Sequence, residues 1–333
     1  MNILITGGLG YIGSHLASYL TGKNLSIYII DNLNNSKKNV FKKIKKLNKN
    51  IKTFENIDLR NKQKLINYFK HKKVDVVIHL AGFKSVSESF LKSKEYYENN
   101  IIGFTNLLDV MTTYKVNKII FSSSATVYSE KNYKGLTEED ELYTNSVYGL
   151  TKKSIEDIII MKSKNFNLNF VILRYFNPAG CHKTGLIGED TVRTPNNLFP
   201  YIGQIISGRK KFLKIFGKNY RTKDGTGARD YIHIKDLSEA HIRSIFLLNR
   251  KNTNEIINIG SAKPTTVLSV IDAFKKYCKF KIKYKYYKNR AGDLDTIFTN
   301  NNKAKKVLNW KPKKELKDII LSTYYYYKND KNN

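Results

Sequence analysis

Tyr148 and Lys152 stand four apart in SVYGLTKKSIEDIII, a stretch with helical periodicity, so both side chains leave one face of a helix. That spacing has a chemical use. A free phenol titrates near pH ~10, too high for a base at neutral pH, but a neighbouring ammonium favours the phenolate. Such a pair can remove and return the proton of an alcohol. Tyrosine and lysine are both abundant in this chain, so the spacing alone also fits two unrelated surface residues. Position separates the two readings. FSSSATVY, Phe121 to Tyr128, ends the preceding strand-like run and puts the hydroxyl of Ser124 at the edge of a sheet where open α/β folds bind ligands.

A second constellation opens the chain. ILITGGLGYIGSHLASYL places Gly8, Gly10 and Gly13 in a GxGxxG array, led by Gly7, directly after a strand and at the start of a helix. Glycine permits the tight turn and lets backbone approach a pyrophosphate, and the N–H groups at the helix start stabilise the anion. Asp31 ends the second strand, 18 positions beyond Gly13, where a carboxylate accepts hydrogen bonds from ribose hydroxyls and repels the extra phosphate of NADP. The expected cofactor is therefore NAD, whose positive nicotinamide ring adds to the lysine in favouring the Tyr148 phenolate and whose nicotinamide ribose Lys152 can also hold. Asp58 ends the third strand and reads either as a partner of the adenine amino group or as a turn or cap residue. HLAGFKSV, His79 to Val86, follows the fourth strand with small residues that let a cofactor pass, and His79 itself reads as a packed strand residue.

These residues need a frame. Strands are predicted at Ile3 to Thr6, Ser26 to Ile30, Ile51 to Phe54, Val74 to His79, Lys118 to Ser122 and Asn169 to Leu173. Helices are predicted between them at Tyr11 to Tyr19, Lys37 to Leu47, Lys62 to Lys70, Tyr96 to Tyr114 and Val147 to Met161. The alternation predicts an α/β fold, a Rossmann-type doubly wound parallel sheet, over residues 1–174. A smaller C-terminal lobe that binds substrate is expected over 175–333, because the pattern there loosens into Gly, Pro, Asn and Asp. YIHIKDLSEAHIRSIFL, Tyr231 to Leu247, reads as a strand end running into a helix, so the first domain is expected to be rejoined by about 228–260. The Asn/Lys-rich tail after Tyr327 is expected to fray.

Composition narrows the classes. The net charge of +31 would ordinarily point to nucleic acid or an anionic membrane. Only nine of the 59 basic residues are arginine, and Asn, Ile and Tyr are also common, so lysine reads as a codon-driven choice at solvent-facing positions. The densest run, Lys37 to Asn50, spaces Val40, Phe41, Ile44 and Leu47 along one helical face and reads as a surface helix. Neither a nucleic-acid nor a membrane partner is expected. No apolar stretch approaches the ~18 residues of a membrane span, and no export signal is read at Met1, so the expected location is cytoplasmic. Cys181 and Cys278 lie in no metal or redox spacing, and no metal is expected.

TGGLGYIGSH, DNLNNS, HLAGFKSV, FSSSATVY, YGLTK, LRYFNPAG, GEDT, NNLFPYI, IFGKNYRTKDGTGARDYIHIKDL and RAGDL occur in this order from Met1 to about Pro312. Together they resemble the UDP-glucose 4-epimerase family of the extended short-chain dehydrogenase/reductase superfamily. The TKDGTGARDYIH run is far more specific than the glycine pattern. The resemblance implies that Tyr148 is the acid/base, Lys152 its tuning partner and Ser124 the hydrogen-bonding hydroxyl. It implies NAD contacts at Tyr11, Ile12, Asp31, Asn32, Asn35, Ser36, Asp58, Leu59, Leu80, Ala81, Gly82, Lys84, Asn99 and Phe176. It implies contacts to a UDP-hexose at Thr126, Asn177, Asn197, Leu198, Lys214, Ile215, Phe216, Arg229, Arg290 and Asp293. Arg229 and Arg290 suit a diphosphate, because planar guanidinium groups match its oxygens. The implied reaction oxidises the sugar at C4, turns the 4-keto sugar about its diphosphate link and reduces it on the other face. A homodimer and a role in galactose metabolism are also implied.

Two departures bear on alternatives. Asp295 stands where the family pattern has proline, and Ile297 where bacterial members confined to unacetylated sugars resemble one another in carrying tyrosine. Acceptance of UDP-N-acetylhexosamines is the resulting alternative. A nucleotide-sugar dehydratase would resemble its relatives in an Asp-Glu pair before the Val-Tyr, yet Ala125 and Thr126 stand there. A non-catalytic NAD-binding protein is disfavoured by the intact Tyr148 and Lys152.

Overall fold

A computed structural model describes residues 1–129, 135–190, 195, 197–250, 253–289 and 294–329. Its first half follows the alternating pattern: β1 (Asn2–Thr6), α1 (Tyr11–Tyr19), β2 (Ser26–Asp31), α2 (Asn39–Leu47), β3 (Ile51–Asn56), α3 (Lys62–His71) and β4 (Val76–His79). The chain continues through α4 (Val86–Leu91), α5 (Ser93–Tyr96), a π-helical turn (Tyr97–Ile102), α6 (Gly103–Thr113), β5 (Lys118–Ser124), a 3₁₀ turn (Ala125–Val127), α7 (Val147–Phe166) and β6 (Asn169–Tyr175).

β1 pairs in parallel with both β2 and β4, β2 pairs with β3, and β4 with β5. With β6 and β10 (Asn254–Ile259) they form a seven-stranded sheet ordered β10-β6-β5-β4-β1-β2-β3. Strand order reverses between β1 and β4, the point where such sheets open a crevice for ligand. The predicted parallel, doubly wound sheet is therefore present. Ile3, Leu4 and Ile5 of β1, and Val76 to Ile78 of β4, have no exposed surface, as expected of strands covered on both faces. Leu4, Val77, Ile119 and Ile172 join Leu65, Phe104, Leu107 and Ile155 in one apolar core.

β3, β5 and β6 each run two residues past their predicted ends and β4 starts two residues late, and three helical segments also depart from prediction. α2 starts at Asn39 and not Lys37, because Val40 N–H bonds the Lys37 carbonyl and Phe41 N–H that of Lys38, a tighter turn of 3₁₀ type. The helix predicted from Tyr96 is preceded by α4 and α5, the former capped by Ser85, whose hydroxyl accepts from Glu88 N–H at 3.3 Å. The π-helical turn interrupts the same predicted helix, where Tyr96, Asn100, Phe104 and Leu107 are still buried at near-helical spacing. α7 runs five residues beyond Met161, to Phe166, where Asn167 takes a left-handed conformation and ends it.

The remaining elements are β7 (Asn177–Ala179), α8 (Leu198–Ile206), β8 (Leu213–Phe216), β9 (Ala228–His233), α9 (Ile234–Leu247), then β10, β11 (Pro264–Thr266), α10 (Val267–Cys278), β12 (Tyr284–Tyr287), β13 (Thr296–Ile297), α11 (Asn302–Leu308) and α12 (Leu316–Asn329). β9 carries β7, β11 and β13, and β8 pairs with β12. Phe199, Ile202, Phe274, Ile319 and Ile320 make the core behind them. Two compact units result: Met1–Ser129, Glu141–Arg174 and Ser238–Ile257 in the first, and Glu130–Asp140, Tyr175–Leu237 and Asn258–Asn333 in the second. Among the described residues no helix is long and apolar enough to cross a membrane. α12 continues to Asn329, past Tyr327; the last four residues of the tail lie outside the described residues.

Candidate active site

The glycine turn follows β1 directly. Gly7 has φ +69°, and its N–H donates to the Ile30 carbonyl at 2.8 Å. A Cβ at Gly7 would lie 2.7 Å from the backbone nitrogen of Ala81, so only glycine lets the tip of β1 meet the chain leaving β4. Gly8 and Gly10 complete the turn, and α1 starts at Tyr11 and Ile12 with Gly13 buried in its first turn. Gly10 caps α1 without a side-chain bond, which leaves the helix's leading N–H groups for an anion. This cradle suits a pyrophosphate.

Asp31 ties the turn to the next loop. Its carboxylate accepts from Leu9 N–H at 3.1 Å, Leu33 N–H at 2.9 Å and the Ser36 hydroxyl at 2.7 Å. Asn35 is exposed in that loop, and Asn32 donates to Asp58 at 3.1 Å. Asp58 also takes two guanidinium bonds from Arg60, at 2.7 and 3.0 Å, which with lesser contributions hold its pKa down to about 2. Leu59 is buried beside it. After β4, Leu80 and Ala81 are half-buried, while Gly82 and Lys84 are exposed. His79 packs between Phe104 and Phe121 and bonds Thr6 at 2.8 Å; burial drives its pKa to about 3, so it is a neutral strand residue.

The reactive pair is held by α7. Ser146 caps that helix by accepting Gly149 N–H at 3.0 Å. A Cβ at Gly149 would meet the Thr126 carbonyl at 2.7 Å, so glycine lets the helix start close against the end of β5. Tyr148 is 8 % exposed, and Ser124 lies close enough to favour its phenolate. The hydroxyl of Ser124 also accepts from Thr126, at 3.0 Å from its side chain and 3.2 Å from its N–H. Lys152 is 4 % exposed and donates to the Ser122 carbonyl at 2.7 Å, with its ammonium 5.9 Å from the Tyr148 ring centre and 4.9 Å from that of Phe121. Ser124, distant in sequence from Tyr148 and Lys152, is thus brought to them.

Electrostatics in the protein by itself run against the part of the expectation that rested on the ammonium alone. Burial pushes the Tyr148 phenol up to about 12, and the neighbouring Ser124 only partly offsets it. Burial lowers Lys152 to about 8, with Glu156 pulling the other way. The nearby lysine does not outweigh desolvation of a phenolate.

Several residues at the site are none of those predicted from the sequence. Asn100, in the π-helical turn, is 2 % exposed; it accepts from Phe83 N–H at 2.8 Å and from the Asn99 amide at 2.9 Å. It donates to Phe83 and Thr151, each at 3.1 Å, and so joins the loop after β4 to α7. Glu156 and Arg174, 1 % exposed each, form a buried ion pair with bonds of 2.7 and 3.0 Å. Burial opposes the charge on Arg174, yet Glu156 holds its pKa above the ordinary value. Only the tertiary partners mark these residues; each reads as ordinary in the sequence.

In the second unit, Phe176 is buried and Asn177 begins β7, paired with Tyr231 of β9. Asn197 and Leu198 start α8, and the Asn197 amide reaches Glu189 at 3.5 Å. In β8, Lys214 lies 5.0 Å over the Tyr287 ring and Phe216 packs on Tyr287, whereas the Ile215 side chain points into the core, leaving its backbone as the accessible part. Arg229 of β9 donates to the carbonyls of Ala228 at 2.9 Å and Leu294 at 2.8 Å. Arg290 and Asp293 lie outside the described residues.

A family model described as GDP-mannose 4,6 dehydratase matches residues 4–323. The chain is 40 % identical over 334 residues to UDP-glucose 4-epimerase 2 of Arabidopsis thaliana, covering 99 % of this chain and 95 % of the plant protein. Among solved structures it resembles the UDP-glucose-4-epimerase of Stenotrophomonas maltophila with bound NAD and formylated UDP-arabinopyranose, at TM-score 0.96 and 33 % identity over 100 % of this chain and 99 % of that one. It also resembles the UDP-glucose 4-epimerase of Bifidobacterium longum in complex with NAD+ and UDP, at TM-score 0.95 and 35 % identity, with the same coverages.

Proposed function

Since the chain belongs to the UDP-glucose 4-epimerases, and to the wider nucleotide-sugar family that the matched dehydratase model describes, we propose that it interconverts UDP-glucose and UDP-galactose with NAD. The observation that carries this reading is the buried Tyr148, beside Ser124 and one helical turn from Lys152, in the unit whose glycine turn suits a dinucleotide. Gly7, Gly8, Gly10 and Gly13 would hold the pyrophosphate, and Asp31 the adenosine ribose. When bound, NAD supplies the acceptor and donor of hydride for the sugar's C4 and a positive charge beside the phenol.

Tyr148 takes the proton of the sugar 4-hydroxyl and later returns it. Ser124 hydrogen-bonds the same sugar oxygen and keeps the phenol aimed at it. Lys152, fixed on the Ser122 carbonyl, has further N–H donors for the nicotinamide ribose. Arg229 would grip the diphosphate, an anchor about which the oxidised ring turns so that hydride returns to its other face. Redox balance is then internal, and no net oxidant is consumed.

Incubation of the purified protein with UDP-galactose, without added NAD, is expected to yield UDP-glucose by chromatography. A chain that retains NAD yet gives no conversion of either sugar would sink the assignment. A second reading, turnover of UDP-N-acetylhexosamines, rests on Ile297, which β13 sets in register beside Arg229; parallel kinetics on both sugar pairs decide it.

The reading extends to a cytoplasmic homodimer serving galactose metabolism. Phe90, Leu91, Ile102, Leu150 and Met161 of the first unit are all more than 40 % exposed, with Leu91 at 88 %, an apolar surface that suits a partner copy. Light scattering at micromolar concentration is expected to give the mass of two chains, and a monomer under those conditions would remove the dimer.

A further inference from the structure

Beneath the reactive pair lies a buried polar network whose cost calls for a reason. Tyr148, Lys152 and Glu156 follow one another at four-residue intervals on the inner face of α7, where a helix ordinarily packs apolar groups. Glu156 receives the hydroxyl of Ser123 on one oxygen, shares that oxygen with Arg174 Nε at 3.0 Å, and takes Arg174 Nη2 on the other at 2.7 Å. Arg174 in turn donates to the Tyr128 hydroxyl at 2.9 Å and stacks over that ring at 4.9 Å. A buried ion pair is generally no more stabilising than apolar residues of the same volume. The elements it joins are informative. Ser123 lies between Ser122, whose carbonyl holds Lys152, and Ser124, which adjoins Tyr148 and favours its phenolate. Tyr128 closes the 3₁₀ turn that contains Thr126, itself bonded to Ser124.

We propose that Glu156, clamped by Arg174, is a positioning residue of the epimerisation: through Ser123 it locks the end of β5 to α7 and so fixes Ser124 against Tyr148 and the Ser122 carbonyl against Lys152. This rests on the epimerase reading. Glu156 stands four residues from Lys152 and touches no reacting atom; its influence passes through the strand end and through its charge. That charge favours the protonated form of Lys152 against burial.

The test uses full-length protein carrying its own NAD and reads both sugars across pH. Glu156→Gln removes the charge and keeps the shape. It is expected to lower kcat at least ~10-fold with KM little changed, and to move the alkaline limb of the kcat profile to lower pH by on the order of 1 unit. Glu156→Asp, which restores charge at shorter reach, is expected to return that limb toward its original pH while kcat stays reduced. Ser123→Ala opens the lock without breaking the ion pair, so it serves even where the Gln variant does not fold. A roughly 5-fold loss of kcat per folded, NAD-loaded molecule supports the lock, and the melting temperature is expected to fall by a few degrees for the lost bond to a buried carboxylate. Wild-type kcat and pH profile in Ser123→Ala overturns it, whatever the Glu156 variants do. Wild-type protein that turns over neither sugar would instead be a failure of the epimerase reading.

Discussion

Lys152 in the first unit and Asp230 in the second are both ionisable groups almost fully removed from water, and they are satisfied very differently. Each carboxylate oxygen of Asp230 takes two donors: Ser261 N–H at 2.6 Å and the Ser261 hydroxyl at 2.5 Å on one, Ala262 N–H and Thr299 N–H, both at 3.0 Å, on the other. Desolvation still raises its pKa, but its hydrogen-bonding capacity is filled, as befits a group that pins three chain segments together. Lys152 has three donors and, among the described residues, one protein acceptor, the Ser122 carbonyl. A saturated buried charge is scaffold. An unsaturated one beside a buried phenol is what a ligand-binding group would show, because leaving donors unmet in a dry site is costly unless something else meets them.

That contrast can be broken by substitution. The largest effect is expected for Tyr148→Phe, which removes one oxygen: kcat should fall by ~10³-fold or more, with NAD content and melting temperature nearly unchanged. Substantial turnover in that variant would deny Tyr148 the role of base.

Asp230→Asn should act in the opposite sense. An amide nitrogen in place of either oxygen meets two donors, so a loss of roughly 2–3 kcal/mol in unfolding free energy is expected, with kcat per folded molecule retained. Chemical denaturation beside activity measurements reads both. A stable but inactive protein would contradict the division drawn above.

The pH dependence of Lys152 sharpens the comparison. Its folded pKa of about 8 is below the ordinary lysine value of 10.5, so between those values the unfolded chain binds more protons than the folded one. Stability from this group therefore rises with pH over the window 8 to 10.5, and its burial counts fully against the fold below 8. In NAD-free protein, Lys152→Met should be more stable than wild type at pH 7, and the gap should narrow as the pH approaches 10.5. A gap constant across that window would mean that Lys152 is not desolvated as described.

The smallest effect is expected for Arg229→Lys, which keeps charge and loses the planar fork: KM for the UDP-sugar should rise about 10-fold with kcat within a factor of a few. An unchanged KM would remove Arg229 from the substrate side.

Much of the first unit was legible because its determinants are local. The glycine turn, Asp31 at the end of β2, and Tyr148 with Lys152 on one face of α7 are set by spacing along a strand or helix, and each is where its spacing put it. Asn100, Glu156 and Arg174 were not legible. Glu156 lies in KKSIED as an ordinary surface-type charge, and its burial depends on Ser123 and Arg174, which the chain brings near only once β5 and β6 pair into the sheet. The π-helical turn escaped for a related reason, since it alters hydrogen bonding while keeping the buried residues at near-helical spacing. In β8, Ile215 faces the core because four residues of strand leave one register in which Lys214 and Phe216 both reach Tyr287.

Composition, period and motif order by themselves determined a parallel α/β sheet, a dinucleotide turn and a tyrosine–lysine pair, because each follows from the 3.6- or 2-residue repeat of one element. Tertiary structure alone decided how hard it is to ionise that tyrosine. Desolvation is a property of everything packed around the phenol, so burial outweighed the neighbouring lysine that the spacing had singled out.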